Sequence, residues 1–173
     1  YEEVTYKRID EAFGADFSYN HLTVDLRTYF PLFSEDTILA SRFKTVITHG
    51  DIPFYEMPSY GSGSDLRGYS GSRWTDKNAA QAQIELRQGM FPDTILPLFG
   101  GAIKLKYPSI AVFYEEARVF EDYAKMPEEF FEDWHYSYGV GFRFIITPSV
   151  VIRFEYAWSE EQNNFYVNAG LPI

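Results

Sequence analysis

The chain has 173 residues, enough for one domain of ordinary size. Its 25 Asp+Glu against 15 Lys+Arg leave a formal net charge of −10, which excludes the basic face a nucleic-acid binder presents to phosphates. With no Cys it has no disulfide framework, thiolate metal site or thiol nucleophile, and its three His (His21, His49, His135) are too scattered to suggest a metal cluster.

No run approaches the roughly 20 apolar residues of a transmembrane helix. Mean hydropathy is −0.27, which would ordinarily indicate a soluble chain. Membrane β-barrels escape that test, because lipid-facing and lumen-facing residues alternate along each strand. Aromatic residues make up 19% of the sequence, and any reading of the fold must place them. The first residue is Tyr1, so the sequence reads as a mature or trimmed chain.

Period two runs through the chain. A weak strand opens it around residues 3–8. Next, Leu22, Val24, Leu26, Thr28 and Phe30 oppose Thr23, Asp25, Arg27 and Tyr29. In the third strand Leu39, Ser41, Phe43, Thr45 and Ile47 oppose Ala40, Arg42, Lys44 and Val46. The fourth sets Ala80, Ala82, Ile84 and Leu86 against Gln81, Gln83, Glu85 and Arg87. A longer strand covers 103–120, with a bend near Pro108. From Trp134 to Ile146 the alternation is cleanest, with Tyr136, Tyr138, Val140, Phe142 and Phe144 opposite Ser137, Gly139, Gly141 and Arg143. Ile152, Phe154, Tyr156 and Trp158 then oppose Arg153, Glu155 and Ala157. The last strand sets Phe165, Val167 and Ala169 against Tyr166 and Asn168. This predicts eight antiparallel strands, no convincing helix and a single domain over residues 1–173.

Connections alternate between short (31–36, 147–149) and long (49–77, 118–133), as they do in outer-membrane barrels; 88–100 interrupts the pattern. An even strand count would put both termini on the short-turn, periplasmic side.

Alternation does not say which face is inside. A soluble up-and-down barrel would enclose the apolar face as a pocket. An outer-membrane barrel would turn that face to lipid and the charged face to its lumen. Three features favour the membrane reading. The apolar segments have the length that crosses a hydrocarbon core. Aromatics crowd the strand ends (Phe17, Tyr19, Tyr29, Phe30, Phe91, Phe120, Trp134, Trp158), as in interfacial girdles. The opposite face mixes Gly with Arg and Glu rather than presenting many Lys. Lys7, Arg27, Arg42, Lys44, Arg87, Arg143 and Arg153 would then share a lumen with Glu3, Asp25, Glu85, Glu115 and Glu155, and buried charges persist only when paired. An eight-stranded lumen is just wide enough for side chains, so a filled, ion-paired interior is expected.

The long third connection carries Leu66-Arg67-Gly68-Tyr69 in a Gly/Ser-rich setting. It is followed by Ile84-Glu85-Leu86-Arg87, by Phe113-Tyr114-Glu115-Glu116-Ala117, by Gly139-Val140-Gly141-Phe142-Arg143 and by Ile152-Arg153-Phe154-Glu155. In that order and spacing the motifs resemble the C-terminal half of the barrel of the bacterial surface antigen superfamily, which includes BamA-type and TamA-type proteins and two-partner-secretion transporters. The resemblance implies that Leu66, Arg67, Gly68 and Tyr69 fold into the barrel from outside, with Arg67 paired to Glu85 and Glu115. Glu115 and Ala117 stand where the family usually has Asp and Gly, which lengthens the acidic arm and crowds a close approach. Phe165, Asn168, Gly170 and Ile173 match the spacing of the family's C-terminal targeting signal, although the family prefers a terminal aromatic.

The resemblance implies a barrel of usually sixteen strands preceded by periplasmic POTRA domains, and the sequence departs from that in length. Eight strands with no POTRA domain suggest a minimal closed barrel; a fragment of a larger barrel and a pair of half-barrels are the alternatives. The resemblance implies a Gram-negative outer-membrane protein, with lipid and lipopolysaccharide as partners, that takes part in membrane-protein assembly or polypeptide translocation, alongside other barrel proteins or itself. The alternative is a small structural or lipid-organising barrel. There is no Gly-x-Ser-x-Gly elbow, no Ser/His/acid set and no metal spacing, so neither an enzyme nor a cofactor is expected. The acidic connection at 118–133, with Glu121, Asp122, Glu128, Glu129, Glu132 and Asp133, reads as a solvated loop in preference to a cation site.

Overall fold

The computed structural model describes residues 1–61, 65–91, 95–98, 103–125, 132–146 and 150–170. Within them the chain forms β1 (Glu2–Ile9), β2 (Tyr19–Pro31), β3 (Thr37–Gly50), β4 (Ser59–Tyr60), β5 (Trp74–Thr75), β6 (Asn78–Gly89), β7 (Ile95–Leu98), β8 (Ile103–Phe120), β9 (His135–Ile146), β10 (Val150–Ser159) and β11 (Asn163–Ala169). Short 3-10 turns occur at Glu11–Phe13, Phe54–Glu56 and Tyr123–Lys125. Among the described residues no helix is long and apolar enough to cross a membrane.

The main sheet runs β1-β2-β3-β6-β8-β9-β10-β11, antiparallel throughout, with β7 pairing to β8 beside this path. β4 and β5 make a separate two-stranded ribbon inside the long third connection. Neither the ribbon nor β7 is legible in the sequence, because two or four residues are too few to show a period. Sharp connections set the register. Leu32 N–H donates to the Thr37 carbonyl and Thr37 N–H to the Ser34 carbonyl, which turns β2 into β3 directly after Pro31. In β8 the register with β9 shifts between Lys106 and Ser109, around Pro108, which has no N–H to give the ladder.

Register aligns the inner-face residues in rows across the sheet. One row is Ala40, Glu85, Phe113, Gly139 and Ala157; the next toward the long-loop end is Arg42, Gln83, Glu115, Ser137 and Ser159. A third runs Ile38, Arg87, Ala111, Gly141 and Glu155. Large charged residues are thus interleaved with Gly, Ala and Ser, which leave the space their side chains cross.

The sheet is open. Among the described residues β1 pairs only with β2 and β11 only with β10, which differs from the closed eight-stranded barrel expected from the sequence. The most buried ion pairs lie under β6 to β10, and β1 is exposed along nearly its whole length, so it adds little to that packing. Two aromatics expected in an outer girdle are instead buried. Tyr19 is covered beside the Phe54–Glu56 turn and reaches Glu56 through its hydroxyl (3.3 Å), and the Phe120 ring is packed beneath Arg118.

Candidate functional site: an arginine latch on the charged face

The two faces of the sheet are inverted relative to a water-soluble protein. Glu85, Glu115, Glu155, Arg143 and Arg153 are buried, whereas Val112, Tyr138, Val140, Phe165 and Val167 on the opposite face are each about half exposed or more. Ring contacts continue across that outer face, from Tyr138 to Trp158 and from Phe144 through Phe154 to Phe165.

Residues 65–69 lie against the charged face. Leu66 and Tyr69 join an apolar cluster with Val46, Tyr60, Ala79 and Ala117, flanked by Trp74 and Val119. The carbonyl of Asp65 accepts from the side-chain amides of Gln81 and Gln83 on β6. The Tyr69 hydroxyl donates to the Tyr136 carbonyl on β9 (2.8 Å), and its ring meets Trp74 edge-on. Trp74 in turn stacks flat on His135 at 3.7 Å. Gly68 has φ +87, and its N–H donates to the Tyr166 hydroxyl on β11 (2.8 Å), while its carbonyl accepts from Ser159 Oγ (2.6 Å).

Arg67 is wholly buried. Its backbone N–H and its Nε each donate to Glu115 at 2.9 Å, and Nη2 also contacts Glu115. Nη1 donates to Glu155 at 2.8 Å. The guanidinium carbon stands 3.3 Å from the centre of the Phe113 ring. Glu85 is 4.0 Å from Nη2, at the outer limit of an ion pair, and is engaged instead by Arg143 and Arg87. Glu115 also accepts from Gln83 and Ser137, and Glu155 from Arg143 and Arg153. A second group on the same face sets Asp25 between Arg42 and Arg27.

Glu155, Phe113 and Tyr166 hold the loop in addition to the acids expected from the sequence. Alternation places all three on the inner face, but a face is not a partner. Of the C-terminal residues, Phe165 is exposed on the outer face, Asn168 is half buried on the inner one, and Gly170 has φ +94 and donates its N–H to the Val151 carbonyl. Ile173 lies outside the described residues. In the acidic connection Glu121 pairs with Lys77 at 3.3 Å and Asp122 accepts from the Ala124 N–H; Glu132 and Asp133 are exposed, and Glu128 and Glu129 lie outside the described residues.

An antiparallel sheet that buries its charges on one face and exposes rings and branched side chains on the other has the pattern of outer-membrane strands. The domain model of the Omp85 superfamily matches residues 2–172, and the chain belongs to that superfamily of outer-membrane, BamA-like proteins. No curated protein matches the chain.

Proposed function

We propose that this sheet is the wall of an outer-membrane β-barrel that serves membrane-protein assembly or polypeptide translocation. Its charged face lines the lumen, its aromatic face meets lipid and lipopolysaccharide, and its termini are periplasmic. The observation that carries this reading is the latch: a loop arginine with no solvent exposure, held by carboxylates from two strands, in a chain whose large apolar residues are exposed. In water that arrangement loses on both counts, since apolar burial is forgone and charges are desolvated. In a bilayer the outer face is solvated by hydrocarbon and the charges pair inside.

The edges supply the means of action. Among the described residues β1 and β11 each leave one side of the ladder unpaired, which costs several kcal/mol per group in hydrocarbon and is relieved when another strand adds. A seam at these edges, closed by pairing with each other or with added strands, would template an incoming strand. Gly170, just past β11, gives the chain a bend there. The test is reconstitution in liposomes followed by addition of unfolded barrel clients. Faster client insertion than into empty liposomes is expected, and no acceleration would sink the assembly reading.

A second reading, a structural or lipid-organising barrel, is favoured by one observation. The inner face under β6 to β10 is filled by Arg67 and its partners, which leaves little room there for a passing chain. Under that reading single-channel recordings give little conductance and clients insert at the empty-liposome rate.

A further inference from the structure

Toward the turn end of the charged face the latch continues into a larger ion-paired cluster. Four arginines (Arg67, Arg87, Arg143, Arg153) share three glutamates (Glu85, Glu115, Glu155), so the connected cluster carries one positive charge too many in a chain whose net charge is −10. The surplus is visible in the hydrogen bonds. Arg87 Nη2, Arg143 Nε and Arg153 Nε are buried donors without a partner among the described residues. A buried donor left unpaired is costly, and a native fold that keeps several in one place calls for an acceptor.

Two of those arginines, Arg87 and Arg143, line a cavity of about 270 Å³. The Arg143 side chain is 3% exposed, so its charge is held inside the cluster and not at the surface. The remaining walls are largely apolar: Ile38, Tyr107, Pro108, Ile145 and Val151. Gly89, Ser109 and Phe144 also line it, and Glu35 and Asp36, from the turn between β2 and β3, stand exposed at its rim.

We propose that this cavity binds a small monocarboxylate with an apolar body. Arg87 and Arg143, which line the cavity and each carry an unpaired donor, would take the carboxylate through charge-assisted N–H bonds. The branched and aromatic walls take the hydrocarbon portion. The single surplus positive charge of the buried cluster matches one negative charge; Glu35 and Asp36, exposed at the rim and screened by solvent, oppose any anion and a dianion most. Two sources supply this chemistry: a free medium-chain acid, or the carboxylate of an apolar C-terminal residue of a polypeptide.

The test is equilibrium dialysis of the protein in nanodiscs, with empty nanodiscs subtracted. The probes are octanoate, N-acetyl-phenylalanine and the neutral analogue octanol. Retention of octanoate alone assigns the free acid, retention of N-acetyl-phenylalanine alone assigns a polypeptide end, and retention of both leaves the site open to either; each result supports the site. Arg87→Gln should weaken the retained probe at least tenfold. Val151→Trp, which fills the cavity and leaves every arginine in place, should abolish retention without moving the unfolding midpoint. The proposal is overturned if neither acid is retained above empty nanodiscs, if octanol is retained as well as octanoate, or if Val151→Trp binds like the parent protein.

Discussion

The guanidinium of Arg67 lies 3.3 Å from the centre of the Phe113 ring, so the loop arginine is held by a ring face as well as by carboxylates. That contact depends on a third position. A Cβ built at Gly139 would overlap the edge of the Phe113 ring and the Tyr156 carbonyl. Glycine on β9 therefore lets the ring lie flat on the sheet with Arg67 above it. Gly139→Ala should displace Phe113 and loosen the latch, at a cost of about 1–3 kcal/mol from overpacking. Urea titration in detergent reads the loss of stability. Limited trypsin digestion reads the latch, because Arg67, buried in the parent protein, becomes a cleavage site.

Removing Arg67 itself has a larger effect. Arg67→Ala leaves Glu115 and Glu155 buried with fewer cations, and breaking a buried ion pair on one side costs about 3–5 kcal/mol. Glu115→Gln alone removes one of the two close carboxylates of the guanidinium and leaves it Glu155. The double variant should cost less than the two single losses combined, because it removes both charges. Unfolding midpoints of the four proteins in a double-mutant cycle measure this coupling; strictly additive losses would refute an energetic link between Arg67 and Glu115.

Gly68→Ala tests the backbone of the latch. At φ +87 an L side chain is strained, and a Cβ there would stand 2.9 Å from that of Ser159. Roughly 1–2 kcal/mol of left-handed strain adds to the displacement of Ser159. The hydroxyl of that serine donates to the Gly68 carbonyl. The expected readout is faster trypsin cleavage after Arg67 with the strand content, followed by circular dichroism, unchanged.

Much of this arrangement could be read from period two. Alternation alone puts Glu85, Glu115, Glu155, Arg143 and Arg153 on one face, and the structure buries all five there. What alternation does not carry is distance across strands. Arg67 meets Glu155 at 2.8 Å and Glu85 only at 4.0 Å, because Glu85 is already engaged by Arg143 and Arg87, and that competition is decided by side-chain reach. The aromatic residues at strand ends were ambiguous for a related reason. Tyr19 occupies a strand end as Phe30 does, but the Phe54–Glu56 turn covers Tyr19 while Phe30 stays exposed, and a covering loop leaves no mark on a strand's own period. The open edges were illegible too, since pairing between β1 and β11 depends on the curvature of the whole sheet.

Tyr166 connects the latch to one of those edges. Its hydroxyl accepts from the Gly68 N–H at 2.8 Å and from the Asn164 side-chain amide at 3.3 Å, so β11 is held to the loop as well as to β10. Tyr166→Phe removes the acceptor and leaves the Gly68 N–H without it, a loss of about 1 kcal/mol. If the loop steadies the edge, the amides of β11 should exchange with solvent several-fold faster in this variant, while those of β8 and β9 keep their protection. Equal acceleration in all strands would mean that Tyr166 supports global stability only. Unchanged exchange in β11 would mean that the edge is independent of the latch, and a seam that opens there would then do so without releasing Arg67.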